Sequence, residues 1–127
     1  MSSTMGQKVK VSVFGQSHSG AVGVVIDGLP AGERIDLAAV EKFLGRRAPG
    51  KTRYSTPRTE SDKPSVLSGL VGDTTCGAPL CAVIENSDVR SSDYEPHLDI
   101  PRPSHADYPA HVKYRGANDI RGGGHFS

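Results

Sequence analysis

The chain has almost no net charge. Its 127 residues hold 15 Lys and Arg against 14 Asp and Glu, or +1 with histidine neutral. Such a chain has no overall field to draw in nucleic acid or an anionic membrane. What positive charge it has is local, which suits a binding pocket better than a polyanion track. No apolar run approaches the roughly 18 residues that a membrane span needs. Met1 to Lys10 is polar and lacks the apolar core of a signal peptide. The expectation is therefore a cytoplasmic protein with no nucleic-acid or membrane partner. Cysteine is scarce as well. Cys76 and Cys81 are separated by four residues, which fits neither the CxxC redox motif nor a zinc knuckle. They are expected to be two small, semi-buried thiols. No HxH or HxxxH pair occurs among the five histidines, so no single element holds two metal ligands and no metal is expected.

Glycine and proline are plentiful, at fifteen and nine residues. Both interrupt regular elements. With 35% apolar residues and a mean hydropathy of −0.39, the chain reads as soluble and somewhat loop-rich. Its length is ordinarily that of one domain. Lys8 to Phe14 alternates Val/Phe with charged or small residues and predicts a strand with one buried face. Ala21 to Asp27 predicts a buried strand. Asp36 is a candidate N-cap for a helix carrying Leu37, Val40, Phe43 and Leu44 and ending near Gly45. Lys51 to Lys63 reads as a polar loop, Val66 to Val71 and Leu80 to Glu85 as strands, and Ile100 to Pro103 as a turn. Ser104 is a candidate cap for a short helix from His105 to about Lys113. This order of elements predicts an α+β fold with antiparallel sheet.

Candidate chemistry sits in the irregular segments. Gly15-Gln16-Ser17-His18-Ser19 resembles a G-x-S-x-G nucleophile elbow. It lacks the last glycine, and strand-like rather than helical residues follow it. His18, in a loop between strands, can still point into a cleft and pass a proton to a leaving oxygen. The plainer alternative is a loop histidine bonded to backbone. Arg46, Arg47, Arg53 and Arg58 can form a patch that grips carboxylates and phosphates. They can equally be a solvated face paired with Glu60 and Asp62. Pro101-Arg102-Pro103-Ser104 stiffens the backbone before His105, and Asp107 can orient a neighbouring group. The alternative there is a capped helix start with a surface histidine. His97 and His111 have no such setting and read as surface residues. Arg121-Gly122-Gly123-Gly124 offers bare amides to a phosphate, although a linker looks the same.

Taken in order, these segments resemble the N-terminal part of the chorismate synthase family. The family's GESHG segment is matched at Gly15–Ser19, its IxGxPxG turn at Ile26–Gly32, and its RR-x-PG with a further arginine at Arg46–Gly50 and Arg53. Its SG…TTG-x-P stretch is matched at Ser68–Pro79, N-x-D-x-RS-x-DY at Asn86–Tyr94, RPGHAD at Arg102–Asp107, and RGGGR with following serines at Arg121–Ser127. Gln16 replaces the usual glutamate and Ser19 the usual glycine. Cys76 interrupts the TTG segment, Ser104 replaces a glycine, and His125-Phe126 stands where Arg-Ser is commoner.

The resemblance implies a β-α-β sandwich assembled as a homotetramer, with residues 1–127 forming the N-terminal portion of one domain and a further C-terminal portion outside them. It implies a carbon–oxygen lyase that converts 5-enolpyruvylshikimate 3-phosphate to chorismate and phosphate with reduced FMN, in the shikimate pathway of aromatic amino-acid biosynthesis. NADPH is then a possible reductant of the flavin. By the same resemblance His18 is the acid next to the departing phosphate. His105 protonates or hydrogen-bonds the reduced flavin. Arg47 and Arg53 match cofactor- or anion-binding positions, with Arg46 beside them for substrate. His125, Phe126 and Ser127 match the segment that contacts FMN. Two other readings are a non-catalytic anion-binding or interaction module derived from such an enzyme, and a small metal-dependent hydrolase using His18, His105, Asp107 and Cys81. The hydrolase lacks paired ligand spacing.

Overall fold

The computed structural model describes residues 3–46, 63–86, 101 and 105–119. In chain order the elements are β1 (Thr4–Met5), β2 (Lys10–Gly15), β3 (Ala21–Asp27), α1 (Leu37–Leu44), β4 (Ser65–Ser68), β5 (Leu70–Val71), β6 (Thr74–Thr75), β7 (Leu80–Glu85) and α2 (Asp107–Tyr114). Strands and helices mix as an α+β fold. Five strands form one sheet in the order β1-β2-β3-β7-β4, and every pairing in it is antiparallel. The Val-rich β3 lies at its centre. β3 pairs with β2 from Val22↔Gly15 to Asp27↔Lys10, and with β7 from Ala21↔Glu85 to Ile26↔Leu80.

This register fixes the faces of the sheet. Val13, Val24 and Ala82 stand opposite one another across three strands, as do Val11, Ile26 and Leu80. This face carries Val22, Val24 and Ile26 of β3 beside Leu80 and Ile84 of β7, while Val25 and Val83 fall on the other face. α1 presents Leu37, Val40 and Leu44, spaced as one helical stripe. Stripe and sheet face line one open groove of about 1390 Å³. Val13, Val22 and Val66 on this face remain 39–48% exposed. Among the described residues, Ala110 is the one buried apolar residue. No helix among them is long and apolar enough to cross a membrane.

Most predicted elements stand where patterning put them. Ala21–Asp27 and Leu80–Glu85 have the expected bounds, and α1 is capped by Asp36, whose Oδ1 accepts from Ala39 N at 2.9 Å. The first predicted strand begins and ends slightly later, at Lys10–Gly15, because a short edge strand precedes it. The strand predicted over Val66–Val71 is two strands. Gly69 has φ +93°, and a Cβ there would lie 2.4 Å from Leu80 Cα. The chain turns at that close approach, and Leu70–Val71 pairs with Thr74–Thr75 as a separate hairpin. The last helix starts at Asp107 rather than His105, with Ala106 in the cap position and no side-chain cap bond. Ser104, the predicted cap, lies outside the described residues, as do residues 51–62 of the polar loop and most of the Ile100–Pro103 turn. Both cysteines are free. Cys81 is half-buried, but Cys76 is exposed, against the expectation for it.

Candidate active site

The loop from Gln16 to Gly20 joins β2 to β3 at one end of the sheet. Entry to it requires glycine. Gly15 has φ +110°, and a Cβ there would lie 2.7 Å from both Ala21 O and Val22 Cα. Ser19 closes the turn. Its backbone N–H donates to Gln16 O at 3.1 Å, and its Oγ accepts from Gln16 N at 3.0 Å. The hydroxyl proton is shared between Gln16 O at 2.9 Å and Ala21 O at 2.8 Å. These bonds use the backbone of Gln16 and not its side chain, so glutamine in place of the family's usual glutamate leaves the turn unaffected.

Asn86, immediately after β7, braces the turn from outside. Its backbone N–H donates to Gly20 O at 2.9 Å and its Nδ2 donates to Ser17 O at 2.7 Å. His18 lies between these two anchor points and is only 5% exposed. Ser17 Oγ lies 3.2 Å from His18 Nδ1, within hydrogen-bond distance. A buried imidazole in a turn held on both sides has the fixed position that proton transfer demands.

His105 is exposed and precedes α2, whose first residue, Asp107, is buried. A carboxylate in the first helical turn suits the helix dipole. Asn118, just beyond α2, has a buried Oδ1 without a hydrogen-bond partner among the described residues. Arg46 is exposed at the end of α1, with its guanidinium carbon 5.3 Å from the Phe43 ring centroid. His111 is exposed, as expected. Arg47, Arg53 and Arg58, together with Glu60, Asp62, His97, Arg102, the Arg121–Gly124 segment and His125, Phe126 and Ser127, lie outside the described residues.

Sequence reasoning singled out His18 but not the bonds that hold its turn. Asn86 is 69 positions from Ser17, and nothing in local spacing links them. The signal available was indirect. Asn86 follows an apolar run that predicts a strand beside Ala21–Asp27, and the end of such a strand meets the Gln16–Gly20 loop.

Known proteins resemble this chain over nearly all its length. The family model described as chorismate synthase matches residues 9–127. Chorismate synthase of Thermococcus kodakarensis is 48% identical over 96% of this chain, which covers 34% of that protein. The Methanococcoides burtonii enzyme is 47% identical over 98% of this chain and 34% of its own length, and that of Porphyromonas gingivalis 48% identical over 98% and 33%. The chain thus spans about a third of the length of the curated relatives it matches. A crystal structure of chorismate synthase superposes with a TM-score of 0.57 over 86% of this chain and 26% of that one, at 23% identity, a likeness of fold. With a matching family model over residues 9–127 and relatives 47–48% identical over 96–98% of its length, this chain belongs to the chorismate synthase family.

Proposed function

We propose that this chain is the His18-bearing part of a phosphate lyase. The whole protein converts 5-enolpyruvylshikimate 3-phosphate to chorismate and phosphate by 1,4-elimination with reduced FMN, in aromatic amino-acid biosynthesis. The observation that carries the reading is the placement of His18, buried and clamped through Ser17, Ser19 and Asn86. A departing phosphate gains negative charge in the transition state. A fixed proton donor beside it therefore stabilises the transition state more than the ground state. In this reading His18 is that donor. Arg46, Arg47 and Arg53 hold the substrate's two carboxylates and its phosphate, each a task for a guanidinium fork.

The described residues fit a flavin. The buried Asn118 Oδ1 lacks a donor among them, and a flavin ring carries N–H groups; His105 exposes an imidazole near the same helix. His105, Arg47, Arg53 and the His125–Ser127 segment are the residues proposed to hold it. Reduced flavin, when bound, supplies an electron-rich ring beside the substrate, and the overall reaction has no net redox change. NADPH as the flavin's reductant, a homotetramer and a cytoplasmic location belong to the same proposal.

The test is an anaerobic incubation of the full-length protein with substrate and dithionite-reduced FMN. Chorismate and phosphate should form in equal amounts, and oxidised FMN should support neither. A folded, flavin-loaded full-length protein that forms no chorismate would refute the assignment.

A further inference from the structure

We infer that Asn86 is a positioning residue for His18. Its catalytic consequence rests on the lyase reading above, but its geometry does not. The β3–β7 ladder ends at Ala21↔Glu85, and the next backbone bond, Asn86 N–H to Gly20 O at 2.9 Å, extends it by one rung. That rung places the Asn86 side chain beside the turn, where Nδ2 donates to Ser17 O at 2.7 Å. The two bonds fall on residues 17 and 20 and so bracket His18. The turn's own brace, Ser19, acts from inside on Gln16 and Ala21. Asn86 ties the turn to the end of β7. The task is chemically selective. Ser17 O accepts only, so the partner must donate. A carboxylate of the same shape cannot donate, and it sets a negative charge against a carbonyl oxygen. A glutamine reaches one methylene too far. Displacing a catalytic group by about 1 Å can cost up to roughly 10²-fold in rate.

The experiment compares the full-length protein with its Asn86→Asp and Asn86→Ser variants, each labelled with [13C]histidine. Ring signals are assigned with His18→Gln and His111→Gln. In both Asn86 variants the His18 signals should shift or split while the His111 signals stay in place. Turnover should fall between roughly tenfold and 10²-fold with KM little changed, because the displaced group acts in the chemical step. Unchanged His18 signals in both variants would overturn the inference. Collective movement of all histidine signals would overturn it too, since Asn86 would then be holding the fold rather than the turn. If the parent protein makes no chorismate, the lyase reading falls, and the ring signals still decide whether Asn86 positions His18.

Discussion

At the scale of single residues, two positions are tightly constrained. Gly15 combines φ +110° with backbone atoms 2.7 Å from where a Cβ would stand. Gly15→Ala should destabilise the full-length protein by about 1–3 kcal/mol, the usual cost of a forced backbone conformation. It should also disorder the turn that carries His18. A urea midpoint equal to that of the parent would contradict this. Thr75 is the second. It is 4% exposed, donates to Pro30 O at 2.6 Å and accepts from Glu33 N at 2.9 Å. Thr75→Val keeps the shape and removes both bonds, so Pro30 O and Glu33 N–H lose the hydroxyl that joins them. The expected loss is about 1–3 kcal/mol. Equal melting curves for variant and parent would show that water replaces both bonds.

At the scale of elements, α1 depends on its cap. Asp36 Oδ1 accepts from Ala39 N at 2.9 Å, and Asp36→Ala should cost about 0.5–2 kcal/mol. Chemical denaturation of Asp36→Ala beside Asp36→Ser, which restores a capping oxygen, checks it; equal losses in the two would remove the cap from the account. This helix was legible because an Asx cap and a helical apolar stripe are both local signals. The two strands of continuous apolar residues, Ala21–Asp27 and Leu80–Glu85, were legible for the same reason. The break at Gly69 was not, because it arises from close packing on Leu80, eleven residues on, where a Cβ at residue 69 would lie 2.4 Å from Leu80 Cα. Nor was the brace on His18. Two glycine-bounded strands with a histidine between them are visible in the sequence, but Asn86 reaches the turn at Ser17 and Gly20 only through the order β2-β3-β7. Cys76 is exposed although it directly follows the buried Thr75, because the chain leaves the short strand there for the turn at Gly77.

At the scale of the whole molecule, the dominant feature is an apolar sheet face and the helix stripe of α1, which together line a groove of about 1390 Å³. Contiguous apolar surface of this kind is covered in a stable protein or drives association. The 127-residue chain alone should therefore self-associate, bind an apolar dye strongly, bind FMN weakly and form no chorismate. Light scattering that reports a monodisperse monomer, or flavin titration that reports micromolar binding, would contradict this. The central claim concerns one imidazole in the full-length protein. The most direct measurement is the anaerobic rate of phosphate release from 5-enolpyruvylshikimate 3-phosphate, with reduced FMN and saturating substrate, in the parent and in the His18→Ala and His111→Ala variants. The account predicts a loss of roughly 10²-fold or more for His18→Ala, the scale of a missing general acid, and a parental rate for His111→Ala. Equal rates for the two variants would contradict it.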